Sequence, residues 1–445
     1  MTKIAFYTLG CKSNQYETDV MKKTCSVNGF DIVPFEGQAD IYIINTCTVT
    51  GNADKKSRHA IRSAKKKNKD SVVIATGCYV EAGPSELYKI KEADILLKNE
   101  DKTNILNFLP KINLPIGQRT IKIKNIRANL MIENGCENFC SYCIVPFVRG
   151  NIISKPFEQV IAEAKLMAKD GIKEIVLTGI NLGEYTLEPE IKSLGSNRSN
   201  RNRDFSSGGG SVSGRQSQVP ALINELSKID GLLRIRLSSI EPMYITDDLI
   251  NVVKENLKVC KHLHIPMQSG DDKILKAMNR DYTSKDFLDM AKDLKKQIKD
   301  IAITTDIIVG FPGEDEKAFM NTCKLIDKVQ FSRIHIFSYS DRPGTAASKL
   351  PNKIDPKTIV KRYEKIGELR GKYMLKFQRS FKKRPVEVLI EQKDRRTGML
   401  EGLTGSYIRV FLRGDDTGDE SIGRLIPVTF KDFQGENVIA SPVLL

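Results

Sequence analysis

Apolar residues come in short runs, and each run ends on a polar or glycine-rich turn. The first three, IAFYTLGC, IYIINTC and VVIATGC, close on Cys11, Cys47 and Cys78. Their spacings of 36 and 31 residues suit successive βαβ units of ~30 residues, which predicts parallel strands in one sheet. All three cysteines then share the carboxyl edge, where open α/β sheets bind ligands, so three thiolates from distant positions converge on one metal centre. The plainer alternative is a buried cysteine packed at each strand end as a small hydrophobe.

From about residue 128 a second series begins: NLMIENG, EIVLTGIN, LRIRLSSIEP, HLHIPMQSG, ITTDIIVGFPG and RIHIFSYSDRPG. Amphipathic patterns such as FEQVIAEAKLMAKDG separate most of them, the alternation of an α/β barrel. Six units fall short of eight and predict a partial (βα)6 barrel with its chemistry at the carboxyl ends of the strands. PVEVLIEQ, GMLEGLTG, YIRVFLRG, RLIPVTFKDF and NVIASPVLL then read as a small all-β barrel. The expected organisation is α/β: an amino-terminal parallel sheet domain (1–120), the partial barrel (125–375) and the carboxy-terminal β-barrel (378–445). Residues 188–218 hold almost no large apolar side chain and read as a disordered insertion in a barrel loop.

Charge narrows the partners. Lys and Arg number 70 against 55 Asp and Glu, a net +15 that favours a polyanion such as nucleic acid. A basic helix runs from Lys55 to Lys69, and Lys376, Arg379, Lys382, Lys383 and Arg384 precede the last barrel. No run approaches the ~18 apolar residues of a membrane span, and the amino terminus lacks the pattern of a signal peptide, so the expectation is a cytoplasmic protein with no membrane partner.

Reduced cytosolic thiols make metal ligation the leading use of the nine cysteines. The most specific cluster is CxxxCxxC at Cys136, Cys140 and Cys143, directly after the first barrel strand. Three thiolates within eight residues wrap one face of a 4Fe-4S cube and leave one iron open. Tetrahedral zinc wants a fourth ligand, and no Cys or His occurs between Cys143 and Cys260. Cys260, His262 and His264 alternate like metal ligands, but alternation along a barrel strand accounts for them as packing or substrate contacts. Cys25 and Cys323 lie in helical patterns as buried thiols, and His59 and His335 carry no motif.

A CxxxCxxC loop at the mouth of a partial barrel resembles the radical S-adenosylmethionine superfamily. The three-cysteine amino-terminal domain and the small terminal barrel resemble its methylthiotransferases, over nearly the whole chain outside the insertion. TLGCKSNQYETD, NTCTVTGNADKKSR, ATGCYVE, GCENFCSYCIVPFVRG and LTGINLGEYT are similar to the branch that modifies threonylcarbamoyladenosine beside the tRNA anticodon. The resemblance implies methylthio transfer to C2 of that base by a deoxyadenosyl radical. It implies two 4Fe-4S clusters, one on Cys136, Cys140 and Cys143 with S-adenosylmethionine on its open iron, the other on Cys11, Cys47 and Cys78. Strand-end turns would cradle S-adenosylmethionine through Thr178, Gly179, Asn181, Ser238, Glu241, Gln268, Ser269, Gly310 and Gly313, glycine permitting close backbone approach. Arg280 would meet the cofactor carboxylate, an exposed helix-end arginine being the alternative. The terminal barrel resembles a TRAM module and implies a grip on tRNA; the electron donor would be a flavodoxin or ferredoxin, and the sulfur source stays open. Lys155 departs from the family's Arg. Two other readings remain: modification of a ribosomal-protein carboxylate, and a zinc-stabilised RNA-binding protein without catalysis.

Overall fold

The computed structural model describes residues 2–109, 125–186, 217–413 and 418–443. Nearly all of the stretch expected to be disordered, 188–218, lies outside the described residues. The chain divides into two compact units.

The first unit comprises Met1–Ile123, Asn134–Ile152 and Ser340–Lys349. Its parallel sheet runs in the order β2-β1-β3-β4-β5, with β1 (Lys3–Thr8), β2 (Asp31–Val33), β3 (Ile41–Thr46), β4 (Val72–Gly77) and β5 (Ile95–Leu97). Helices α1 (Lys12–Val27), α2 (Gly51–Lys67) and α3 (Cys78–Ala82) follow β1, β3 and β4. Every residue of β3 is buried, which is why its run is continuously apolar rather than alternating. Tyr42, Ile44, Val73 and Ala75 pack on Ala60, Ile61 and Ala64 of α2, while Ile4, Ile41, Ile43 and Ile74 meet Met21 and Cys25 of α1 on the opposite face. Helix α2 turns Ser57, Ala60, Ile61 and Ala64 inward and leaves Lys55, Lys56, His59, Arg62 and Lys66 exposed. Its N-cap Thr50 accepts from the Ala53 N–H, and Lys65 to Lys67 in the last turn complement the helix dipole.

By its contacts the cysteine loop at 134–152 groups with this unit. A side-chain bond and a backbone bond tie the loop to the rest of the unit, and an ion pair ties in the 340–349 segment. Asn99 Nδ2 donates to the Val148 carbonyl at 2.9 Å, and the Ala347 N–H to the Ser141 carbonyl at 2.7 Å. The Arg342 guanidinium binds Asp54 at 2.6 Å and Thr48 at 2.9 Å. Helix α4 (Val145–Arg149) closes the loop.

The second unit holds six parallel strands: β6 (Arg127–Met131), β9 (Glu174–Thr178), β10 (Arg234–Leu237), β11 (His262–His264), β12 (Ala302–Val309) and β13 (Arg333–Ser338). Two-residue strands β7 (Glu133–Asn134) and β8 (Ile153–Ser154) flank the cysteine loop. The six form sheets β6-β9-β10 and β11-β12-β13, joined by bridges Ile235↔Val259 and Ser239↔His264, so they stand side by side in chain order. Helices α5 (Phe157–Lys169), α6 (Val219–Ser227), α7 (Asp247–Glu255), α8 (Asp272–Ala277), α9 (Ser284–Gln297), α10 (Glu316–Val329) and α11 (Pro356–Arg379) make the crossovers and the exit.

Strands β14 (Val386–Lys393), β15 (Leu400–Thr404), β16 (Arg409–Leu412), β17 (Leu425–Gln434) and β18 (Asn437–Pro442) close a barrel around Val388, Leu400, Val410, Val428 and Phe430. It is anchored by polar groups at the amino-terminal end of the parallel strands. Arg236, fully buried, pairs with Glu174 at 2.7 Å and donates to the carbonyls of Thr404 and Gly405 at 3.0 and 3.1 Å. A buried ion pair of this kind holds only because its remaining donors find acceptors. Arg234 donates to Leu403 and Glu387 carbonyls, and Tyr407 stacks on His262 with centroids 4.7 Å apart. Among the described residues no helix is long and apolar enough to cross a membrane.

Candidate functional site

Cys47 and Cys78 directly follow β3 and β4, and Cys11 stands at the N-cap of α1, three residues past β1. Because β1, β3 and β4 are parallel neighbours, all three cysteines emerge on one edge. Gly10, at φ +98°, sits where a side chain would press on Cys47: an added Cβ would lie 3.0 Å from both its Cβ and Sγ. Asn14 ties the loops together, its Nδ2 donating to the Leu9 and Thr46 carbonyls at 2.7 and 2.9 Å. Ser57 of α2 clasps Cys47, accepting from its N–H at 3.2 Å and donating to its carbonyl at 3.0 Å. Cys47 and Cys78 are buried and Cys11 is exposed. Burial pushes the Cys47 thiol up to about 11, and the negative charge of Cys78 and Cys11 adds to the rise, so the three sulfurs feel one another. The Cys78 thiol is raised chiefly by burial, against the opposing Arg149 guanidinium.

The second triplet is built locally. The Cys136 N–H donates to the Gly150 carbonyl at 3.1 Å and closes the loop at its base, and the Cys143 N–H donates to Cys140 at 2.9 Å. Gly135, at φ +91°, makes the closure sterically feasible, since any side chain there would collide with the Asn151 carbonyl. Cys136, Cys140 and Cys143 are all half-buried, and Phe139 and Phe147 pack edge to face 5.9 Å apart beside them. Three thiols gathered on one loop are of the chemical type that ligates iron and sulfide.

In the second unit the strand-end turns are tightly held. Thr178, Asn181, Ser238 and Ser269 are buried, and Gln268 is buried in a left-handed conformation at φ +61°. Glu133 accepts from the Asn181 N–H at 2.5 Å and fills the space a side chain on Gly179 would need. This glutamate was missed in the sequence, where its one signal is an acid closing an apolar strand. Glu241 and Arg280 come together: the guanidinium binds both carboxylate oxygens and its Nε reaches the Tyr282 hydroxyl at 3.1 Å. Its side chain is 3% exposed, so Arg280 is not the solvated helix-end residue of the alternative reading. The Gly310 N–H donates to Glu314 at 2.7 Å, and the room left by its absent side chain is filled by Ile359 of α11. Gly313 is exposed with open space around it. Burial pushes Glu314 up to about 7, against the Gly310 N–H and Arg362. Lys155, the residue that departs from the family pattern, pairs with Glu163 at 2.6 Å.

Residues 3–98 match the uncharacterized protein family UPF0004, and residues 131–326 match the radical SAM superfamily. Threonylcarbamoyladenosine tRNA methylthiotransferase MtaB of Bacillus subtilis (strain 168) is 35% identical over 449 residues, covering 96% of this chain and 93% of that protein. The chain belongs to the radical S-adenosylmethionine methylthiotransferase family. The MtaB of Aquifex aeolicus (strain VF5) is 33% identical across 96% of this chain and 99% of its own length. A tRNA-2-methylthio-N(6)-dimethylallyladenosine synthase of Pelagibacter ubique (strain HTCC1062) is 33% identical, with 96% and 95% covered. Among solved structures, the radical S-adenosylmethionine methyltransferase TsrM from Kitasatospora setae has the same fold, with TM-score 0.53 at 13% identity over 78% of this chain and 77% of that one.

Family membership makes the methylthiotransferase an enzyme that transfers a sulfur-containing group, with S-adenosylmethionine and a 4Fe-4S cluster as cofactors. It sets aside the zinc-stabilised, non-catalytic reading. The alternating triplet is held by neighbouring protein groups. Cys260 is buried with Sγ 3.9 Å from Glu174, and His262 Nε2 lies 3.1 Å from Thr304. His264 Nδ1 lies 2.9 Å from the same Thr304 hydroxyl, and His264 also joins Asp306 at 3.3 Å and has its ring 5.6 Å from that of His335. His335 carried no motif in the sequence; only the neighbouring strands β12 and β13 bring it there.

Proposed function

We propose that this methylthiotransferase acts in the cytoplasm on tRNA, adding a methylthio group to C2 of N6-threonylcarbamoyladenosine next to the anticodon. The observation that carries the reading is the near-full-length likeness to relatives named for that base. Cys136, Cys140 and Cys143 hold the cluster shared by the superfamily, and Cys11, Cys47 and Cys78 hold a second 4Fe-4S cluster. The strand-end residues Thr178 to Asn181, Ser238 to Glu241, Gln268 and Ser269 bind S-adenosylmethionine, with Gly313 open to backbone approach. When bound, cofactor and cluster supply one-electron chemistry able to take hydrogen from an unactivated carbon. The chain's own part is to seat the base, exclude water and hold sulfur within reach of that carbon, where proximity replaces a diffusive encounter. The exposed cations of α2 contact tRNA phosphates, and so, in the second unit, do the TRAM-like terminal barrel and the exposed Arg379, Lys382 and Lys383. Arg384 is committed elsewhere, to both oxygens of Asp300 at 2.7 Å. An external flavodoxin or ferredoxin supplies electrons.

Nucleoside mass spectrometry on tRNA from deletion and complemented strains tests the assignment. The methylthio form of threonylcarbamoyladenosine should vanish on deletion and return on complementation. Its persistence, with loss instead of a dimethylallyladenosine or ribosomal-protein modification, would overturn the substrate.

A further inference from the structure

A buried charge is stable only with a partner. In the first unit, the Arg149 side chain is 1% exposed, Lys102 is 5% exposed and Glu17 is 11% exposed. Glu17 takes both cations: it binds the Arg149 guanidinium and lies 2.5 Å from Lys102 Nζ. Two buried positive charges thus share one carboxylate. Asn14 and Asn134 accept from the outer nitrogens of Arg149, Asn134 at 3.2 Å. The remaining donor, Nε–H, points at sulfur: it lies 3.3 Å from Cys78 Sγ. A neutral thiol is a weak acceptor and brings no charge, so with protein groups alone the cluster of side chains retains an excess positive charge at this edge. A thiolate-ligated, anionic centre on Cys11, Cys47 and Cys78 would balance it.

Arg149 also belongs to the other triplet. It is the last residue of α4, six positions past Cys143, and the carbonyl of the next residue, Gly150, receives the Cys136 N–H that closes the CxxxCxxC loop. The guanidinium on one triplet and the loop base of the other therefore hang on adjacent residues.

We propose that Arg149 is a positioning residue shared by the two cysteine triplets, supplying the charge-assisted hydrogen bond to the Cys78 sulfur of the second cluster while fixing the base of the CxxxCxxC loop. The inference rests on the two-cluster reading of the proposed function. Its consequence is electronic as well as mechanical. An N–H···S bond and a buried cation both favour the more negative, reduced state, so Arg149 raises the reduction potential of the cluster on Cys11, Cys47 and Cys78.

The test uses the full chain carrying Cys136→Ala, Cys140→Ala and Cys143→Ala, so that iron and sulfide report the second site alone. Iron, acid-labile sulfide and an EPR-monitored redox titration are measured under anaerobic conditions. If this chain, reconstituted with iron and sulfide and natively folded by circular dichroism, binds no cluster, the two-cluster reading falls and takes the inference with it. If it binds one, Arg149→Met added to it should lower the midpoint potential, with Arg149→Lys intermediate. Glu17→Gln, which removes the competing carboxylate, should shift the potential the opposite way. An unshifted potential in a folded, iron-replete Arg149→Met chain overturns the role of Arg149. Should Arg149→Met not fold, Arg149→Lys decides, since it keeps the cation and removes the Nε–H: a lowered potential supports the inference and an unchanged one overturns it.

Discussion

Cys136, Cys140 and Cys143 fall within eight residues and are gathered by a loop closed through one backbone bond and one glycine, whereas Cys11, Cys47 and Cys78 stand 36 and 31 residues apart and meet only because three parallel strands adjoin. The first triplet is half-buried and has little regular structure of its own. The second is embedded at a sheet edge, two of its three sulfurs buried, with Asn14, Ser57 and Arg149 bonded around it. A loop of the first kind owes the placement of its cysteines to local chain chemistry. A site of the second kind exists only while the whole sheet is folded, and it draws its electrostatics from residues far away in the chain.

Removing one cysteine from each triplet puts the comparison to its hardest test and should have the largest effect. Cys140→Ala should reduce deoxyadenosine release from S-adenosylmethionine to background, because two thiolates no longer secure the cluster. Cys47→Ala should leave deoxyadenosine formation under strong reductant while methylthiolated tRNA disappears. Normal methylthiolation by a folded Cys47→Ala chain would return the strand-end cysteines to ordinary packing.

A smaller effect is expected from the outer face of α2, whose first turns lie beside Cys47. Changing Lys55, Arg62 and Lys66 together to Gln should weaken tRNA binding and reduce the salt-dependence slope by about 2–3, at roughly 0.7 to 0.9 per lost phosphate contact. Iron content and deoxyadenosine formation should stay at parental values. An unchanged slope would make this face a merely solvated one.

The smallest effect is on stability and lies in the second unit, away from both triplets in sequence. Glu314 is raised from 4.5 to about 7, burial outweighing its hydrogen bonds. A carboxyl whose folded pKa exceeds its unfolded value contributes stability that is complete below about 4.5 and is lost as pH rises through about 7. Glu314→Gln should therefore flatten the decline between those limits, by at most about 3 kcal/mol on the ~1.4 kcal/mol-per-unit conversion. Urea unfolding of both chains at pH 4.5 and pH 8 reads the difference, and parallel profiles would show that Glu314 stays charged in the fold.

Much of this was legible in the chain alone. Apolar runs every thirty-odd residues announce parallel strands, because a βαβ crossover has a narrow range of lengths and both sheet faces are covered. The CxxxCxxC spacing was legible because its three cysteines are neighbours in sequence. Glu133 beneath Gly179, the Glu241–Arg280 pair, and His335 beside His264 and Asp306 were not legible: each pairs side chains from different strands or turns, and no periodicity records which turn faces which.

The sequence by itself determined the strand order of chemistry along the chain, the presence of two cysteine triplets and the family, since these depend on local spacing and on residue identity. Only the tertiary structure decided that the CxxxCxxC loop packs with the amino-terminal sheet, and that Arg149 directs its Nε to Cys78 across 71 residues. The physical reason is burial. A charge removed from water must find its counter-charge through space, and that requirement leaves no periodic mark in the amino-acid order.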